Sequence, residues 1–127
     1  MNNRIKSIFF VAMGFITCGN VLAEIAQDKA VKNGREHYKM FCINCHGTNA
    51  DGKGPLVDTL KILPYDLTAL KQTGGNMCIA ERVLMAVSGV HITPTLTGEE
   101  HKMPVFSGNL ESITIYELTQ YLKSIQK

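Results

Sequence analysis

The chain has 127 residues, four cysteines, no tryptophan and a formal net charge of +2. A length of this order corresponds to one small domain, and the lack of tryptophan leaves little large apolar surface with which to build a core. The balance of charges and the absence of a basic run argue against a nucleic-acid partner.

Residues 1–23 have the features of an export signal. Arg4 and Lys6 give a positive start, and residues 8–16 form an apolar stretch that is too short to span a bilayer. The segment closes with Val21-Leu22-Ala23, which ends in the small residue that a signal peptidase requires.

We expect cleavage before Glu24, which leaves one domain over residues 24–127. Because Arg4 and Lys6 are the only charged residues of the signal, this domain has equal numbers of basic and acidic side chains. The predicted location is the periplasm, with no membrane-spanning segment after processing. The alternatives are an uncleaved N-terminal anchor in the inner membrane and a lipoprotein modified at Cys18.

A first helix is predicted from Asp28 to Phe41. Apolar or small residues recur there at helical spacing, and charged residues occupy the other side. Gly34 is the exception, since glycine costs about 0.5 to 1 kcal/mol relative to alanine inside a helix. It therefore indicates a place where another helix approaches closely. His37 is expected on the surface of this helix.

The run Cys42-Ile43-Asn44-Cys45-His46 follows this helix and has the Cys-x-x-Cys-His pattern of a c-type haem attachment site. Each thiol can add to one vinyl group of the porphyrin, and the imidazole that follows can bind the iron. A thioredoxin-like redox pair would require a βαβ context, and a zinc site would require further Cys or His at matching spacing. The chain offers neither.

The middle of the chain has weaker signals. Residues 47–56 are a glycine-rich loop, in which Gly52 and Gly54 permit unusual backbone angles. Asp66 is predicted to cap a short helix over residues 67–71 that ends at Gly74-Gly75. A second helix is predicted over residues 76–88, ending at Gly89.

The last helix is predicted from Ser112 to Ile125, with Ser112 as its N-cap. Its apolar stripe consists of Ile115, Leu118, Leu122 and Ile125, with Tyr121 beside it. We expect the first and last helices to cross at Gly34, with Tyr121 lying over the glycine.

Taken together, these motifs resemble those of class I monohaem c-type cytochromes of the small bacterial periplasmic type. The segments that carry the resemblance are Gly34-xxx-Tyr38-xxx-Cys42-xx-Cys45-His46-Gly47, Gly52-Lys53-Gly54-Pro55, Met103-Pro104 and Tyr121-Leu122. The resemblance implies an all-α cytochrome c fold in which three to five helices surround one covalently bound haem c and the terminal helices cross. It also implies that the Pro55 carbonyl accepts a hydrogen bond from the ligating imidazole of His46, a contact that fixes ring orientation.

Met103 is the predicted sixth ligand of the iron. It lies between two predicted helices and precedes Pro104, which fixes the local backbone. Met77 and Met85 are expected to fill gaps in the core, the usual role of helical methionines. Cys78 as a thiolate, or His101 or the nearby His91 as an imidazole, are the alternatives.

Axial ligation by His46 and Met103 leaves no open position on the iron, so the expected function is one-electron transfer. The chain would be a periplasmic electron carrier that docks transiently with periplasmic or membrane redox proteins at its exposed haem edge. A dedicated haem subunit of an oxidoreductase complex is the first alternative. A haem sensor or enzyme with a labile sixth ligand, and a thiol oxidoreductase, are further ones.

Overall fold

The computed structural model describes residues 18–90, 103–106 and 108–127, and within these ranges the regular secondary structure is helical, without strands. The helices are α1 (Cys18–Phe41), α2 (Ile43–His46), α3 (Val57–Leu60), α4 (Leu70–Thr73), α5 (Ile79–Val87) and α6 (Ser112–Ser124), with a 3₁₀ turn (Leu67–Ala69) directly before α4. The predicted all-α class is confirmed, although the described residues form six α-helices where three to five were predicted, because several are single turns of four residues. None of the helices that the structure describes is long and apolar enough to cross a membrane.

Helices α1 and α6 cross at Gly34, as predicted. A Cβ atom added to this glycine would collide with the backbone carbonyl of Glu117 and would lie 2.9 Å from Cβ of Tyr121. The Tyr121 ring also packs against that of Tyr38, with ring centroids 5.4 Å apart. A residue without a side chain is therefore required at position 34, because the two backbones are nearly in contact.

Hydrogen bonds between polar side chains of α1 and α6 stabilise the same crossing. The Glu117 carboxylate accepts a hydrogen bond from Nδ2 of Asn33 at 2.7 Å and lies 2.8 Å from Nε2 of His37. Farther along, Nε2 of Gln27 donates to Oε1 of Gln120 at 2.8 Å. His37 is thus a partly buried member of the interface with α6, whereas the sequence had suggested a surface position.

The ends of the long helices differ from the prediction. Helix α1 ends at Phe41 as expected but extends back to Cys18, well before Asp28. The exposed residues 21–29 include several good helix formers, which continue the helix although little packs against them. The predicted cleavage site before Glu24 lies within this helix. At α6, Glu111 occupies the N-cap position without a side-chain hydrogen bond, so the prediction of Ser112 as the cap was wrong.

In the middle of the chain, Asp66 and Gly89 mark helix ends as the sequence predicted. Asp66 caps the 3₁₀ turn, since its carboxylate accepts hydrogen bonds from the backbone N–H of Thr68 at 2.8 Å and from the Thr68 hydroxyl. Helix α5 begins at Ile79, later than predicted, and Gly89 follows its end with φ of 77°. Val83 and Val87 are its buried residues. They join the Tyr38, Leu118 and Leu122 side chains in one core.

Candidate functional site

A cavity of about 260 Å³ lies between α6, the Cys-x-x-Cys-His turn and the α4–α5 segment. Its walls are mostly apolar and are formed by Cys42, His46, Tyr65, Leu67, Leu70, Thr73, Gly74, Met77, Arg82, Val83, Met85, Ala86, Val87, Val90, Met103, Leu118 and Leu122. Tyr65 and Val90 are each 52% exposed, so the cavity reaches the surface at its rim.

The Cys-x-x-Cys-His turn is held to the end of α1 by backbone hydrogen bonds. The N–H of Cys42 donates to the carbonyl of Tyr38 at 2.9 Å, and the N–H of His46 donates to the carbonyl of Cys42 at 2.9 Å. The buried Tyr38 hydroxyl donates to the carbonyl of Gly47 at 2.5 Å. Burial also raises the pKa of Tyr38, so the phenol keeps the proton that it donates. Through these hydrogen bonds, Tyr38 connects both ends of the turn to α1.

The glycine-rich loop wraps around the same turn. Gly54 donates to the carbonyl of Cys45 at 3.0 Å, and a Cβ at position 54 would collide with the backbone of Asn44. Gly52 has φ of 80°, a conformation that L side chains rarely adopt. The expectation of an unusual backbone angle holds at Gly52, whereas at Gly54 the requirement is close approach of two backbones.

His46 is buried and lines the cavity. Its Nδ1 lies 3.2 Å from the backbone carbonyl of Tyr65, the acceptor of the ring N–H in the tautomer that leaves Nε2 free to bind a metal. Burial lowers the pKa of His46, against the smaller raising effect of this hydrogen bond, so the neutral, ligating form is favoured.

The partner predicted for His46 was wrong. Pro55 is exposed, does not line the cavity and leads into the turn before α3. The extended segment 62–66 instead passes beside the imidazole and presents the Tyr65 carbonyl to it. The backbone path of a loop decides which carbonyl faces the ring, and no local sequence signal encodes that path.

The two thiols of the motif are free in this structure and partly buried. Cys42 lines the cavity, whereas Cys45 is not among the lining residues. Burial, with a smaller contribution from Cys45, raises the pKa of the Cys42 thiol to about 12. A nucleophilic cysteine requires the opposite shift, so this environment disfavours thiol oxidoreductase chemistry.

Met103 lines the same cavity as His46 and Cys42. Its segment is anchored to α5, because Phe106 N–H donates to the carbonyl of Val87 at 2.8 Å, and to α1 through an edge contact between the rings of Phe106 and Phe41. Met77 and Met85, which were expected to fill gaps in the core as helical residues, also line the cavity, and Met77 precedes α5 instead of lying in it.

The alternative ligands are placed differently. Cys78 is exposed at the N-cap of α5 and does not line the cavity, so its position does not support it as an alternative ligand. Its backbone N–H donates to the Glu81 carboxylate at 2.9 Å, a helix-capping contact. His91 and His101 lie outside the described residues.

The donor set fits a haem. An imidazole and a thioether, the two axial ligands of many electron-transfer haems, line one apolar cavity together with a thiol that can form a covalent tether. Tyr65 and Arg82 belong to this site although the sequence did not predict a role there for either residue. A backbone carbonyl leaves no sequence signal, and Arg82 has the helical spacing of an ordinary surface residue.

A family model described as Cytochrome c matches residues 31–126. The match includes the Cys-x-x-Cys-His turn, the glycine-rich loop, Met103 and all of α6. Searches of curated proteins and of solved structures gave no significant match.

Proposed function

Because the chain belongs to the cytochrome c family, whose members transfer electrons with a covalently attached haem c, we propose that it is a periplasmic one-electron carrier with His46 and Met103 as axial ligands. Cys42 and Cys45 would form the two thioether bonds. The observation that carries this assignment is that Cys42, His46 and Met103 line the same apolar cavity.

The protein residues of the site have separate tasks. His46 supplies a neutral imidazole, and the Tyr65 carbonyl 3.2 Å from Nδ1 orients it. Met103 supplies a thioether, which favours the ferrous state and raises the reduction potential. The haem itself, when bound, supplies the ferric–ferrous couple.

The apolar walls restrict the reaction to electron transfer. The buried side chains Leu70, Val83, Val87, Leu118 and Leu122 exclude water from the interior of the cavity. With His46 and Met103 both holding the iron, no open position would remain for a substrate or an activated water. Electrons would therefore enter and leave through the rim, where a redox partner docks and dissociates in each cycle.

The periplasmic location rests on the export signal in residues 1–23 and on the chemistry of the site. Bacterial c-type haem attachment takes place outside the cytoplasm, so a signal and a Cys-x-x-Cys-His motif on one chain support each other. Fractionation of cells that express the full chain tests this point. Haem-stained protein that remained in the cytoplasmic fraction would contradict it.

The sixth ligand is tested with Met103→Ala. We expect wild-type ferric protein to show the weak absorbance band of iron–thioether ligation near the red end of the spectrum, and the variant to lose this band and bind CO rapidly when reduced. Met40→Ala is the matched control, since Met40 is 65% exposed and lies outside the cavity.

Variants of Met77 and Met85, the other two methionines that line the cavity, test whether one of them is the sixth ligand instead. If Met77→Ala or Met85→Ala removes the band while Met103→Ala retains it, the assignment of Met103 is wrong although the carrier function stands. Rapid CO binding by the unmodified ferrous protein would contradict the carrier function itself and favour the sensor alternative.

A further inference from the structure

Gln126 follows α6 and forms hydrogen bonds with the backbone of three helical elements. Its Nε2 donates to the carbonyl of Leu122 in α6 at 2.6 Å and to the carbonyl of Leu67 in the 3₁₀ turn at 2.8 Å. Its Oε1 accepts a hydrogen bond from the N–H of Lys71 in α4 at 2.8 Å. One amide side chain thus uses its two N–H donors and its carbonyl oxygen to join α6 to the segment that leads from Tyr65 into α4.

Lys127 adds two contacts to the same segment. Its backbone N–H donates to the carbonyl of Thr68 at 3.0 Å, and its Nζ lies 3.5 Å from the carboxylate of Asp66, the cap of the 3₁₀ turn. The ion pair is exposed and adds little stability, so the backbone contact is the stronger of the two. Together with those of Gln126, these contacts extend from the cap of the turn to the start of α4.

The same turn fixes the carbonyl that faces the His46 imidazole. Tyr65 lies two residues before Leu67, and its carbonyl oxygen is 3.2 Å from Nδ1 of His46. Leu67 is held from both sides, because its N–H donates to the carbonyl of Ala50 at 2.8 Å and its carbonyl accepts from Gln126. Since one residue separates Tyr65 from this anchored position, a displacement of the turn would move the Tyr65 carbonyl relative to the ring.

We propose that Gln126 is a positioning residue for His46, on which it acts through the backbone of Leu67 and Tyr65. This inference rests on the proposed function. A hydrogen bond from Nδ1–H to a carbonyl raises the basicity of a ligating imidazole and so stabilises ferric over ferrous iron. The contact between Gln126 and Leu67 therefore keeps the reduction potential lower than it would be with a loosely held Tyr65 carbonyl.

A purely structural role makes a different prediction. If Gln126 only caps the last turn of α6, its loss should lower stability and leave the iron unaffected. Gln126→Met distinguishes the two roles, because it removes the three hydrogen bonds and keeps the side chain uncharged and of similar length. Gln27→Met is the matched control, since the Gln27 amide also joins two helices, at 2.8 Å from Oε1 of Gln120, and Gln27 does not line the cavity.

The experiment measures the reduction potential, the melting temperature and, by NMR, the solvent exchange of the His46 Nδ1–H proton in haem-loaded protein. We expect Gln126→Met to raise the potential, with a change of up to about tenfold in the equilibrium constant for reduction, the scale of one neutral hydrogen bond. Exchange of the ring proton should become faster in this variant. Gln27→Met should lower the melting temperature without either change. A Gln126→Met protein that differs from the wild type only in melting temperature would overturn the inference.

If Gln126→Met does not fold, hydrogen exchange of the wild type decides the question. The Lys71 N–H reports on the contact with Gln126, and a ring proton that depends on this contact should become accessible in the same local opening. The two protons should then have equal free energies of opening. A His46 ring proton that stays protected when the Lys71 N–H has opened would overturn the inference and leave the carrier function standing. Wild-type protein without covalent haem would instead refute the proposed function and, with it, this inference.

Discussion

The crossing of α1 and α6 makes Gly34→Ala a sharp test of the fold. The substitution adds one methyl group, and it replaces the poorest ordinary helix former with the best one. In an isolated helix it would stabilise by about 0.8 to 1 kcal/mol. In this protein the methyl group would collide with the Glu117 carbonyl, which is backbone and cannot rotate away.

The expected magnitude follows from these opposing effects. Overpacking a close contact costs about 1 to 3 kcal/mol, occasionally more, and the rigid backbone at the contact favours the upper part of that range. Separation of the helices would also stretch the bonds from Asn33 and His37 to Glu117. After subtraction of the gain in helix propensity, we expect a net loss of about 2 kcal/mol in the free energy of unfolding.

Thermal and denaturant unfolding of haem-loaded protein, followed by far-ultraviolet circular dichroism, measures this loss. For a domain of this size, 2 kcal/mol corresponds to a fall of roughly 8 to 16 °C in the melting temperature. Arg35→Ala, one residue along α1 on its exposed side, is the control and should change stability little. A Gly34→Ala protein as stable as the wild type would refute the close approach of the two backbones.

Three further predictions concern the same core. Leu118→Ala should cost about 2 to 5 kcal/mol in denaturant unfolding, because a side chain that is 2% exposed leaves a cavity; a loss below 1 kcal/mol would contradict its burial. Tyr38→Phe should cost about 1 to 3 kcal/mol, because the Gly47 carbonyl loses its buried donor. Since the pKa of Tyr38 is raised in the folded state, wild-type stability should also fall as pH rises above about 10, and Tyr38→Phe should weaken this fall. The hydrogen bond from Asn33 and the contact with His37 lower the pKa of Glu117 in the folded state. The free energy of unfolding should therefore fall as the pH drops below the ordinary glutamate pKa, and it should fall less in Glu117→Gln. If the wild type and Glu117→Gln lose stability equally in acid, Glu117 does not stabilise the helix crossing through its charge.

Sequence reasoning succeeded where a few neighbouring residues carry the whole signal. Gly34 predicted the helix crossing because only a close approach justifies glycine inside an amphipathic helix. Asp66 predicted a cap because an aspartate before a helical turn can reach the backbone N–H two residues on, and Gly89 predicted the end of α5. In the same way, the spacing of Cys42, Cys45 and His46 alone predicted the haem attachment site.

The failures concern contacts between distant parts of the chain. The choice of the Tyr65 carbonyl over that of Pro55 depends on the path of a loop around the His46 ring. The pairing of His37 with Glu117 depends on the rotation of α1 against α6, which periodicity constrains only to within a face. Arg82 resembles a solvent-exposed helical residue until the position of α4 is known.

The α1–α6 crossing and the cavity are structurally coupled, because the same helix and the same tyrosine contribute to both. Leu118 and Leu122 line the cavity from the helix that presses on Gly34, and Tyr38 packs against Tyr121 while it fastens the turn that carries Cys42. A displacement of α6 must therefore move one wall of the cavity relative to the imidazole. We accordingly expect Gly34→Ala, although remote from the iron, to weaken the thioether absorbance band in addition to lowering stability. An unchanged band in a destabilised variant would show that the segment carrying Met103 holds its position independently of α6.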